Sequence, residues 1–176
     1  AAASGGMCRA HRALGRDDLA SADLDDVLAA ARRGDPGSAD GGLWALDAWM
    51  ERASIQERAD DLSGAVKSLE NYLAAAGGGR EIAPDIFLRL GAMREKLGDV
   101  AGAEQAYRRL LAIFPERDLF TTRARIALGA ILLARGDRAA AVAEYRAAAA
   151  ATGGSADDRA SAKSRLHALT AASGAP

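Results

Sequence analysis

GDVAGAEQAY occupies residues 98–107, and GDRAAAVAEY occupies residues 136–145. Gly98-Asp99, Ala103 and Tyr107 of the first stretch recur as Gly136-Asp137, Ala141 and Tyr145 of the second, each pair 38 residues apart. A fixed period of this size marks an array of stacked supersecondary units. Outward from the first copy, Ile82, Ile86, Leu90, Met93 and Leu97 fall three or four apart and predict one helical stripe. Pro84 suits the first turn of that helix. Gly98 ends it, because Gly adopts the left-handed conformation common just past a helix C-terminus. Asp99 is placed to cap the next helix by accepting from its orphan amides. That second helix carries Val100, Ala103, Ala106, Tyr107, Leu110 and Phe114, and Pro115 stops it.

The same grammar extends in both directions. Downstream, Leu128, Ile131 and Leu132 form a first stripe, and Ala141, Val142 and Tyr145 mark a second helix that runs out at Gly153-Gly154. The link between the two units, Pro115 to Thr122, reads as long and holds Asp118, Thr121 and Thr122, all capable caps. Upstream, Asp61 and Ala65 precede Asp99 and Ala103 by 38. Leu62, Ala65, Val66, Leu69 and Leu73 predict a second helix that ends at Gly77-Gly78-Gly79. Its first helix, about 43–58, contains Leu43, Trp44, Leu46, Trp49 and Met50. Gly34 to Gly42 reads as a loop. Before it, Leu19, Ala22, Val27 and Leu28 predict a further helix, preceded by a short one over Met7–Leu14. Ser155 to Ala172 reads as a solitary helix with a narrow stripe of Ala162, Leu166 and Leu169. The expected organisation is therefore a disordered segment (1–6), a partial or degenerate repeat (7–33), repeats at 43–76, 82–115 and 119–152, a capping helix (155–172) and a disordered tail (173–176).

Composition agrees with closely packed helices. Apolar residues make up 49% of the chain, many of them Ala, and only 5% are aromatic. The net charge of −1 offers no global attraction to nucleic acid or anionic lipid. Residues 1–79 carry 8 basic and 13 acidic residues, whereas residues 80–138 carry 11 and 8. Interleaved acids around Arg108, Arg109, Arg117, Arg123 and Arg125 argue against a nucleic-acid surface. No stretch approaches the ~20 apolar residues of a membrane span, so no membrane insertion is expected. Cys8 is alone, which excludes an internal disulfide and a thiolate metal cluster. Arg outnumbers Lys 20 to 3, as in proteins of GC-rich, bacterial genomes. The chain begins with Ala1, which fits a fragment or a processed product. The compartment is unknown from the sequence, with cytoplasm slightly favoured over periplasm.

Two helices per unit, a Gly-Asp turn, a small residue four after the Asp, an aromatic four later and then Pro resemble the tetratricopeptide repeat (TPR). In the best unit the resemblance lies in Phe87, Leu90-Gly91, Gly98, Ala103, Tyr107 and Pro115. In the next it lies in Leu128-Gly129, Gly136, Ala141 and Tyr145, with Arg125 in place of the aromatic. In the preceding unit Asp61, Ala65 and Leu69 match, with Asp60 in place of the turn Gly. The period here is 38, against about 34 for the standard repeat. Related helical-pair repeats stay open as a fold name. The resemblance implies an all-α, right-handed superhelical solenoid of antiparallel helix pairs. Gly91, Gly129, Ala103 and Ala141 would sit at close helix crossings, and Tyr107 and Tyr145 would fill the gap toward the next unit.

In this family the first helices line a concave face that holds an extended peptide or a partner helix. By register, that face includes Met50, Ser54, Leu88, Ala92, Lys96, Arg123, Ile126, Ala130 and Leu133. A mainly apolar trough with flanking charge predicts recognition of an amphipathic helix or apolar segment. Only Arg123 suits a carboxylate clamp, so none is expected. His11 and His167 lie at opposite ends of the chain, and Gly77-Gly78-Gly79-Arg80 lacks the Lys-Ser/Thr of a phosphate loop. No cofactor, metal or catalytic constellation is expected. The expected function is a non-catalytic protein-protein interaction scaffold or adaptor in a bacterial multiprotein complex. The alternatives are a self-association module, a homodimer driven by Trp44 and Trp49, or an interaction domain fused to an enzyme or regulator.

Overall fold

A computed structural model describes residues 17–33, 41–77, 82–116 and 118–171. Among these, every regular element is a helix. The expectations for 1–6, Met7–Leu14, Cys8, His11, Gly78-Gly79-Arg80 and 173–176 lie outside the described residues. The helices are α1 (Asp17–Arg33), α2 (Gly41–Arg58), α3 (Leu62–Ala75), α4 (Asp85–Lys96), α5 (Val100–Ile113), α6 (Asp118–Ala134), α7 (Arg138–Ala150) and α8 (Ala156–Ala171). They fall into two compact units, Ala1–Ile82 and Ala83–Pro176.

In the first unit α2 packs against both α1 and α3. Ala20, Leu24, Val27 and Leu28 of α1 form a core cluster with Ala48 and Ile55 of α2, and Trp49 packs against it. Their spacing is that of one helical face. That face is rotated from the predicted stripe, since Leu19 and Ala22 are exposed. α2 also begins within the predicted loop, taking in Gly41 and Gly42. Ala65, Ser68, Leu69 and Tyr72 are the buried residues of α3. Ser68 lies buried because its hydroxyl donates to Gln56 Oε1 at 2.6 Å.

In the second unit α4 pairs with α5, α6 with α7, and α5 joins the pairs by packing on α6. The buried residues of α4 are Ile86, Phe87, Leu90, Gly91 and Met93, and those of α5 are Ala103, Ala106, Tyr107 and Leu110. Leu97 and Val100, predicted as stripe members, are about half exposed because they flank the turn. The Pro115–Thr122 link is shorter than it reads. α6 starts at Asp118, and Thr121 and Thr122 are buried inside it.

Three turns share one geometry. Gly98 (φ 79°) and Gly136 (φ 87°) are left-handed, and so is Asp60 (φ 59°) at the equivalent position. In each, two amides close back on the preceding helix: Gly98 N to Glu95 O at 3.0 Å and Asp99 N to Arg94 O at 2.8 Å, with matching bonds from Asp60, Asp61, Gly136 and Asp137. This is the Schellman pattern. The same Asp then caps the following helix. Oδ1 of Asp61, Asp99 and Asp137 accepts from the amide three residues on at 2.9, 2.9 and 3.1 Å. One aspartate thus ends one helix with its backbone and starts the next with its side chain, which keeps the turn short and the helices antiparallel.

The two tyrosines have a nearer task than the sequence assigns them. A Cβ on Gly91 would lie 2.4 Å from the Tyr107 ring, and one on Gly129 would lie 2.7 Å from the Tyr145 ring. Each ring therefore occupies the space that the glycine of its own helix pair leaves empty. Arg125, where the repeat has an aromatic, instead pairs with Glu144 of α7 at 3.0 Å.

Candidate functional site

The nine residues named from register divide between the two units. In the second unit Leu88, Ala92 and Lys96 lie at i, i+4 and i+8 on α4, turned away from the arc of Phe87, Leu90 and Gly91 that packs inward. Arg123, Ile126, Ala130 and Leu133 make a corresponding row on α6, away from buried Ala124, Leu128 and Ile131. These periodicities put each set on one helix face. α4 and α6 are in contact, and each carries one of the rows. Leu88, Ile126 and Ala130 are half-buried, Ala92 and Lys96 are exposed, and Leu133 is 37% exposed. The apolar members of the rows are Leu88 and Ala92 on α4 and Ile126, Ala130 and Leu133 on α6.

The polar groups around these rows have partners of their own. Arg123 Nε donates to Asp158 Oδ2 of α8 at 2.9 Å. Partial burial pushes the Asp158 carboxyl up, but hydrogen bonds from Arg123 and Ser155 and the Arg123 charge outweigh it and hold the group below its usual range. Arg123 is thus engaged within the protein before any ligand arrives, although about half of its side chain remains exposed. Beside Lys96, Glu95 accepts from the buried Tyr107 hydroxyl at 2.6 Å. Burial, then the Glu95 hydrogen bond and charge, push the Tyr107 hydroxyl well above its ordinary value.

Met50 and Ser54 lie one turn apart on α2 in the first unit, both half-buried. Ser54 Oγ donates to the Met50 carbonyl at 3.1 Å, a bond back onto its own helix. They form a separate stripe, described apart from the rows on α4 and α6.

Among the described residues, no three His, Cys, Asp or Glu side chains could jointly hold a metal ion, and His167 is exposed. A shallow depression runs along α5, lined by Ala101, Gly102, Glu104, Gln105, Arg108 and Ala112. Its carboxylate, Glu104, is taken by Arg108 at 2.8 Å and Arg135 at 3.0 Å. No described helix is long and apolar enough to cross a membrane. The sequence missed the Arg123–Asp158 and Arg125–Glu144 pairs, since partners 35 and 19 residues apart carry no local signal.

No family model matches the sequence, and neither does any curated protein. Solved structures do resemble it. A tetratricopeptide repeat protein from Parabacteroides merdae superimposes with a TM-score of 0.68 at 17% identity, covering 95% of this chain and 59% of that one. This chain therefore spans about three fifths of the length of that protein. The nearly identical TPR-like repeats of a candidate kinesin light chain from Podosopora anserina give 0.63 at 18% identity over 98% of this chain and 86% of theirs. MamA gives 0.51 at 19% identity over 80% and 91%. At these identities the likeness concerns the fold, and the fold is that of the tetratricopeptide repeat.

Proposed function

We propose that this chain is a non-catalytic protein-interaction scaffold that holds a peptide or amphipathic helix on the α4–α6 surface, as part of a bacterial multiprotein complex. The observation that carries the reading is the pair of aliphatic rows. Leu88 and Ala92 on α4 and Ile126, Ala130 and Leu133 on α6 are partly exposed at corresponding places on two helices that touch. Side chains left uncovered in adjacent rows gain by burial against a partner, at about 25 cal/mol per Å² of apolar area. Lys96 at the edge favours a ligand with acidic residues flanking its apolar face. Met50 and Ser54 offer a second contact stripe on the first unit. In this reading 43–76, 82–115 and 119–152 are the repeats and 155–172 is the cap. The self-association alternative loses one support, because Trp49 is already engaged with the core cluster of α1 and α2.

Selection of binders from a displayed library of amphipathic helical peptides tests the reading. Selected peptides should bind Leu88→Glu/Leu133→Glu at least about tenfold more weakly, a change of ~1.4 kcal/mol or more, with helicity by circular dichroism unchanged. Equal affinity for the double variant would remove the α4–α6 surface from consideration.

A further inference from the structure

α8 differs from every other helix of the second unit in how it is held. Of its sixteen residues only Ala162 is buried, whereas α5 buries Ala103, Ala106, Tyr107 and Leu110. Leu166 and Leu169 are half-buried, and the remainder is mostly exposed. α8 nevertheless packs against α7 and touches α6. Beside the contacts of Ala162, Leu166 and Leu169, polar contacts fasten it. Asp158 receives Arg123 of α6 at 2.9 Å, Arg138 of α7 donates to the Leu169 carbonyl, and the Arg165 guanidinium lies 5.9 Å from the centre of the Tyr145 ring. Asp118 of α6 clasps the loop before α8, its Oδ2 accepting from Thr152 Oγ1 at 3.1 Å and Gly153 N at 2.7 Å.

The loop that leads into α8 is also imperfectly seated. Thr122 is fully buried, its Oγ1 has no hydrogen-bond partner, and Gly154 closes directly over it. A buried hydroxyl without a partner is a cost that hydration would relieve. Lifting this loop together with α8 would wet Thr122, and α8 itself has only Ala162 fully buried. Exposed ion pairs are individually weak and screened by salt. The balance thus differs from that of α4–α7, whose helices are joined through interleaved buried side chains.

We propose that α8 is a detachable strap: it leaves the body formed by α4–α7 as one cooperative segment, and its release frees Arg123 on the α6 row. The detachment stands on the contacts of α8 alone and does not depend on what the α4–α6 surface binds. Local opening of this kind is how separate cooperative segments of one domain reveal themselves.

Hydrogen exchange of the full chain, read by mass spectrometry at 50 mM and 1 M NaCl, tests this. Amides over 160–168 should share one protection factor, at least about tenfold lower than those of α6 and α7, and high salt should accelerate α8 alone. Arg123→Gln should reproduce the acceleration at low salt without altering exchange in α4–α7. Ala162→Glu should strip protection from α8 only. The proposal fails if the protection factors of α8 equal those of α7, if they fall off gradually toward the C-terminus as simple fraying, if salt leaves them unchanged, or if Ala162→Glu unfolds the whole unit.

Discussion

Gly91 and Tyr107 act as a matched pair, and so do Gly129 and Tyr145. In each, a ring at most 2% exposed fills the space beside a glycine on the partner helix. The equivalent positions in the first unit are Ala53 and Leu69, both fully buried. There a larger residue on one helix accompanies a smaller one on the other, as constant packing density requires. Gly91→Ala should cost about 1–3 kcal/mol in urea unfolding, because the Tyr107 ring is tied by its hydroxyl to Glu95 and cannot swing aside. Adding Tyr107→Leu should recover part of that loss, as the Ala53/Leu69 combination suggests. No loss, or no recovery, would show that the two positions are not coupled. Tyr107 also sets an alkaline limit. Its hydroxyl keeps its proton to higher pH in the folded protein than in the unfolded chain, whose tyrosines ionise near pH ~10. The unfolded chain therefore loses the proton first, and stability should fall as pH rises above ~10. Tyr107→Phe should flatten that decline in a pH series of thermal melts, and an unchanged slope would assign it to another group.

The helix–turn–helix element was the most legible level in the sequence, and the reason is local. Gly98-Asp99 and Gly136-Asp137 state a helix end and a helix start in two adjacent residues, so their meaning needs no distant partner. Asp60 meets the same left-handed requirement without being Gly, at φ 59°, because a short polar side chain tolerates that region better than most. Asp99→Ala should cost about 1 kcal/mol. It removes the side-chain cap on Gly102 N and the ion pair with Arg94 Nε at 3.7 Å, and keeps the amide bond to the Arg94 carbonyl. Thermal melts of Asp99→Ala and Asp137→Ala should show similar losses, and a loss in only one would mean the two turns are not equivalent. Less legible were features set by neighbours. The sequence reads Leu97 and Val100 as core, yet both flank a turn and stay exposed. Leu19 and Ala20 differ by one residue in register, and only packing against α2 decides that Ala20 is inside. The helical start of α6 at Asp118 was hidden because Asp, Thr and Thr read equally well as caps. There the Asp118 carboxylate is spent on the loop after α7.

At the scale of the molecule, what repeats and what does not have separate meanings. Gly98/Gly136, Asp99/Asp137, Ala103/Ala141 and Tyr107/Tyr145 build the frame of the two helix pairs in the second unit, and they can be read from sequence because both pairs use them. Leu88 and Ile126, or Ala92 and Ala130, occupy corresponding places on α4 and α6 and stay partly exposed there. Register groups them only within each helix, since helical periodicity fixes which residues of one helix share a face. What occupies Arg123 was not legible, because Asp158 lies on another helix 35 residues away. The proposed interaction surface can be interrogated directly by placing a photo-crosslinking benzoylphenylalanine at Ala92, with a control at exposed Gln105 on α5, in cells that make the protein. The expected result is a crosslink from Ala92 to a defined segment of a protein partner, lost in Leu88→Glu/Leu133→Glu and absent from Gln105. Equal crosslinking from both sites, or a crosslink at Ala92 that survives the double substitution, would contradict the α4–α6 surface as the site of binding.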